Sequence, residues 1–178
     1  KQYRQAIQCF QQALKFAPDD LDVHYNLGNT CVESKDFELA AQAYRRILRD
    51  YPQDTDLKEA LSYALDRQGI ISQQSGQYVE AERSYLEAIQ LTPQQDELYY
   101  NLGNAQRELG KPKEAAQSYQ QAIQRNPNDA DAYNNLGNVL RELGDLQAAI
   151  TAYQTALKLA PALYHAKVHL VHQKQHAC

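Results

Sequence analysis

The chain has no tryptophan and no methionine, and only 3 phenylalanines stand against 13 tyrosines among its 178 residues. Its large core positions must therefore be filled mostly by rings that carry a hydroxyl, which suits a thin array with wet edges better than a thick apolar core. No apolar run approaches the roughly 20 residues of a membrane span, and Lys1 to Cys9 has no signal-peptide core. A soluble, cytoplasmic chain without a membrane span is expected. Positive charge is not in excess either: 18 Lys and Arg are interspersed with 22 Asp and Glu, for a net charge of −4. With no basic stripe to neutralise a phosphate backbone, nucleic acid is not expected as a partner.

Cysteine is scarce. Cys9, Cys31 and Cys178 make an odd count at spacings that match no metal motif, and they read as reduced thiols. There is no Gly-rich phosphate loop, no nucleophile elbow and no pair of carboxylates with a defined pocket. These absences predict no enzyme, no metal and no cofactor.

What the chain does have is repetition. From Ala130 to Pro161, Tyr133, Leu136, Gly137, Leu140 and Leu143 form one apolar stripe at helical spacing. Gly144 and Asp145 interrupt it as a helix end and a cap would. Leu146, Ala149, Ile150, Tyr153, Ala156 and Leu157 then form a second stripe, closed by Pro161. The unit is a helical hairpin in which Gly137 and Ala149 permit close approach and Tyr153 fills the space beside them. Such a hairpin cannot bury both faces alone and needs a copy on each side.

The copies are present. Pro18, Pro52, Pro93, Pro127 and Pro161 are separated by 34, 41, 34 and 34 residues. Full repeats are expected at 21–54, 62–95, 96–129 and 130–163, with a half-repeat at 1–20 and a last helix within 164–178. The seven residues by which one interval exceeds the others (41 against 34) are assigned to extra helical turns at 55–61. Seven residues fall about 20° short of two whole turns, so one long helix from about Thr55 to about Gln74 keeps its stripe on one face. Ile47 stands where other repeats have a small Ala, which predicts looser packing there. The half-repeat at the N-terminus leaves an apolar edge on which a second copy could stack, a route to a homo-oligomer.

The positions opposing the stripe of each first helix are Asp22, Tyr25, Asn26 and Asn29; Glu97, Tyr100, Asn101 and Asn104; and Asp131, Asn134, Asn135 and Asn138. Amides both donate to and accept from a peptide group, so this face suits an extended backbone. At roughly 1 kcal/mol net per hydrogen bond, three asparagines supply about 3 to 6 kcal/mol, short of the roughly 8 that micromolar binding requires. Tyr25 and Tyr100 must add contact, or the partner must be basic. Alternatively, these amides bond to one another and tie the repeats together. His165, His169, His172 and His176 share one face of the last helix, and the reading adopted for them is a solvated stripe with no metal.

The Gly, Ala, Tyr and Pro of each copy resemble the tetratricopeptide (TPR) repeat family. That resemblance implies an all-α solenoid of antiparallel helix hairpins in a right-handed superhelix, whose first helices line a concave groove that binds a protein or peptide. The Asn-Leu-Gly-Asn phrases at Asn26 to Asn29, Asn101 to Asn104 and Asn135 to Asn138 are similar to repeats of O-linked N-acetylglucosamine transferases. This implies an asparagine column of Asn26, Asn101 and Asn135 that grips a peptide backbone, interrupted at Arg67. It also implies an alternative role as the substrate-recruiting arm of a larger enzyme such as a glycosyltransferase. Another groove design of the family, the carboxylate clamp, uses lysines and an arginine. The comparable places here hold Tyr25, Glu97 and Asp131, so binding of a carboxylate tail is not expected.

Overall fold

The computed structural model describes residues 2–162. Among them there are helices and no strand, in the order α1 Gln2–Phe16, α2 Leu21–Glu33, α3 Phe37–Asp50, α4 Thr55–Gln74, α5 Tyr78–Leu91, α6 Asp96–Glu108, α7 Pro112–Arg125, α8 Ala130–Glu142 and α9 Leu146–Leu159. The expected histidine stripe at His165, His169, His172 and His176 lies outside the described residues.

The chain's own punctuation sets these boundaries. Asp20, Asp54, Asp129 and Asp145 each precede a helix and accept a hydrogen bond from the backbone N–H three residues on, at 2.9 to 3.1 Å. At α7 the start is Pro112, whose missing N–H is one the helix would leave unpaired anyway. After α8 the chain turns through Gly144 at φ +83°, the left-handed region that glycine enters without cost. In the first full repeat that position is occupied by Lys35, at φ +64°. A residue with a Cβ pays about 1 kcal/mol there, and glycine's greater freedom when unfolded offsets part of it. Lys35→Gly is therefore expected to raise stability by about 0.5 kcal/mol, read as a higher urea midpoint at unchanged slope.

The helices fall into two compact units, one of residues up to Ser75 together with Arg83–Pro93, the other of Gly76–Glu82 together with the residues from Gln94 onward. Each unit is built on the same contact. In the first unit, Gly28 of α2 faces Tyr44 of α3, and Gly69 of α4 faces Tyr85 of α5; in the second, Gly103 faces Tyr119 and Gly137 faces Tyr153. A Cβ built on any of these glycines would sit 2.5 to 2.7 Å from a carbon of the facing ring. The four tyrosines are at most 2% exposed, and small residues such as Ala40, Ala81, Ala115 and Ala149 are fully buried beside them. A side chain is missing on one helix where a ring arrives from the next.

Every such pair is 16 residues apart, in the lengthened repeat as in the others. From its first residue to the glycine, α4 runs from Thr55 to Gly69, whereas α2 runs from Leu21 to Gly28. The additional turns therefore lie ahead of the packing contact and leave it undisturbed. At the other end, α1 packs on α2 but has no fully buried residue, and Phe16 is 89% exposed.

Candidate functional site

Two faces carry the residues expected to bind, one in each unit. In the first unit, Asp22, Tyr25 and Asn26 are exposed along α2. Arg67 of α4 donates through Nε to the buried Asp66 at 2.9 Å, and its guanidinium lies 5.5 Å from the centre of the Tyr63 ring. In the second unit, Glu97 of α6 and Asp131 of α8 are exposed, while Tyr100, Asn101, Asn134 and Asn135 are half-buried.

Several of these side chains already have internal partners. Tyr44 Oη donates to Asn29 Oδ1 at 2.8 Å, Tyr119 Oη to Asn104 Oδ1 at 2.7 Å and Tyr153 Oη to Asn138 Oδ1 at 2.9 Å. The gap at glycine lets the ring pass between the helices, so its hydroxyl emerges beside the next residue of the first helix. Sequence reading placed the three asparagines on the open face and treated the tyrosines as packing only. The recurring interval of 15 residues from Asn to Tyr was the available signal. In the lengthened repeat Ile70 replaces the asparagine, and Tyr85 donates instead to Gln73, one turn further on, at 3.2 Å.

Asn135 also looks inward. Its Nδ2 donates to Tyr100 Oη and to Asn104 Oδ1, each at 3.1 Å, which links α8 to α6. Tyr100 in turn stacks at a tilt on Tyr119 with centroids 6.0 Å apart. Asn134 Oδ1 is a buried acceptor with no hydrogen-bond partner among the described residues. Burial raises the pKa of Tyr44 to about 12 and pushes Tyr85, Tyr119, Tyr153 and Tyr100 upward as well. All of them remain neutral at physiological pH. Burial, assisted by the Asp36 charge, likewise raises Cys31 to about 12, so this thiol is unreactive.

One feature of the first unit lay beyond sequence reasoning. An open recess of about 480 Å3 is bounded by Leu21, Asp22 and Tyr25 of α2, Ile47 and Tyr51 at the end of α3, and Asp54, Asp56, Leu57 and Ala60 at the start of α4. Asp56, Leu57 and Ala60 lie in the first turns of the 20-residue helix α4, and Ile47 is the residue that departs from the small column. Ile47, where looser packing was expected, is itself only 7% exposed and borders the recess. No helix among the described residues is long and apolar enough to cross a membrane, and no cluster of three potential metal ligands occurs among them.

Comparison with known proteins agrees with this geometry. The profile described as "Tetratricopeptide repeat" matches residues 1–55 and 100–163, and one described as "TPR repeat" matches 73–110. No curated protein matches the chain. Among solved structures, the first TPR of Spaghetti (RPAP3), bound to the HSP90 peptide SRMEEVD, is 25% identical with a TM-score of 0.64, over 65% of this chain and 92% of that one. The Arabidopsis OM64 TPR domain is 26% identical with a TM-score of 0.65, over 67% of this chain and 98% of that one. The TPR protein YrrB shares the fold over 98% of this chain and 84% of its own, with a TM-score of 0.63 at 20% identity. With profile matches over most of its length and a glycine–tyrosine contact in each full repeat, the chain belongs to the tetratricopeptide repeat family.

Proposed function

We propose that this chain is a non-catalytic scaffold that holds a peptide or protein segment against the exposed faces of its first helices. The observation that carries this reading is α2, where Asp22, Tyr25 and Asn26 stay exposed while Leu27, Gly28, Ala40 and Tyr44 of the same repeat are buried. The peptide bound by the Spaghetti TPR is acidic. Here the exposed residues of the same helices include Asp22, Glu97 and Asp131, so an acidic tail would meet like charge. The Asn-Leu-Gly-Asn phrases support a second reading, in which the array recruits substrate for a catalytic domain of a longer polypeptide.

The two kinds of asparagine separate the scaffold from a purely structural role. With a heptapeptide selected on the intact protein as probe, Asn26→Ala is expected to weaken binding about fivefold, the equivalent of one hydrogen bond of about 1 kcal/mol, at unchanged melting. Asn135→Ala is expected to lower stability by about 1 kcal/mol, because Tyr100 and Asn104 lose their donor. Full binding retained by Asn26→Ala would count against an amide grip on the α2 face.

A further inference from the structure

The recess in the first unit has a composition that selects its occupant. Its lining contains three carboxylates, Asp22, Asp54 and Asp56, and no lysine or arginine. Asp22 and Asp56 lie in the first turns of α2 and α4. Two helix N-termini contribute about +0.5 each, so roughly two negative charges remain uncompensated at the recess. Tyr25 and Tyr51, which wall it, are 51% and 57% exposed, with ring surface open to a ligand. The remaining lining, Leu21, Ile47, Leu57 and Ala60, is aliphatic.

We propose that this recess is an anchoring site for a lysine or arginine side chain of the bound segment, with the aliphatic stem against Ile47 and Leu57 and the charged head among the aspartates and tyrosine rings. Aliphatic stems lie along apolar surface while their cationic ends seek charge, and a ring face attracts a cation. The protein itself uses this chemistry elsewhere: the Arg125 guanidinium lies 3.8 Å from the centre of the Tyr99 ring and donates to its hydroxyl at 2.9 Å. A volume of about 480 Å3 falls within the roughly 300 to 1,000 Å3 of ligand pockets, and it leaves room for a residue flanking the basic one. Three of its walls, Asp56, Leu57 and Ala60, lie in the first turns of the long helix α4.

This inference rests on the scaffold reading, and the test separates the two. A random heptapeptide library is selected on the intact protein and on the Asp22→Asn, Asp56→Asn double variant. These two substitutions leave the capping residues Asp20 and Asp54 in place. Peptides from the unsubstituted protein are expected to be enriched in Lys or Arg, to bind the double variant at least tenfold more weakly at unchanged melting, and to weaken as salt is raised. Binders without basic enrichment, or basic binders indifferent to the double substitution, would overturn the anchoring site while leaving the scaffold standing. A selection that yields no binder overturns both.

Discussion

Raising the pH from 10 to about 11 is expected to remove about 3 kcal/mol of stability, with the share of tyrosinate absorbance that belongs to the buried Tyr44, Tyr85 and Tyr119 rising only as the helices melt. A tyrosine is neutral while protonated, and burial penalises its anion. Tyr44, Tyr85 and Tyr119 therefore keep their protons in the folded chain above pH 10, where an unfolded tyrosine gives its proton up. Their contribution is complete below pH 10 and is lost as the pH climbs, for Tyr44 until its own value near 12 is reached. Each such residue costs about 1 kcal/mol over the first pH unit, and Tyr153 acts in the same direction. Against a typical total of about 5 to 15 kcal/mol, this is enough to bring unfolding into view near pH 11 to 12. Titration of all the tyrosines near pH 10 while helicity persists would contradict the burial described here.

Tyr119→Ala is expected to cost about 4 kcal/mol, at the upper end for an aromatic truncation, because the ring is fully buried against Gly103 in a cluster with Ala115, Ala116, Leu136 and Val139. Tyr119→Phe, which keeps the ring and removes only the bond to Asn104, should cost about 1 kcal/mol. Gly103→Ala tests the same contact from the other side. Alanine improves helix propensity by about 1 kcal/mol, but its Cβ would sit 2.7 Å from the Tyr119 ring. Overpacking of a rigid ring costs about 1 to 3 kcal/mol, so the net effect in the unsubstituted protein is a loss of about 1 kcal/mol. In the Tyr119→Ala background the same substitution should become stabilising. That reversal of sign, measured by urea unfolding of the four proteins, is the signature of a direct contact.

The hairpins were legible because the chain carries its own comparison set: Leu, Gly, Tyr and Pro recur in register, and the lengthened interval between Pro52 and Pro93 announced α4. Helical spacing also placed Asp22, Tyr25 and Asn26 on an open face, where they are found. It did not resolve Asn29, Asn104 and Asn138, because periodicity reports direction around one helix and says nothing of what a ring from the next helix brings alongside. Likewise, Asn135 lies at the angle of an open-face residue but is within reach of Tyr100, 35 positions earlier. The recess could not be read at all: Tyr25, Tyr51 and Asp56 belong to three different helices or their ends, and only folding brings them together.

The position of the added turns in α4 makes length and packing independent variables. Seven residues advance a helix by about 700°, so the side chains that follow return almost to their former phase. Five would leave everything after them about 140° out of phase with the turns ahead, and the buried side of α4 would no longer run along one face. Any first helix of this array can therefore be extended outward in steps of seven, gaining new wall with each step, and a repeat can be given a different binding shape without altering a residue of its core.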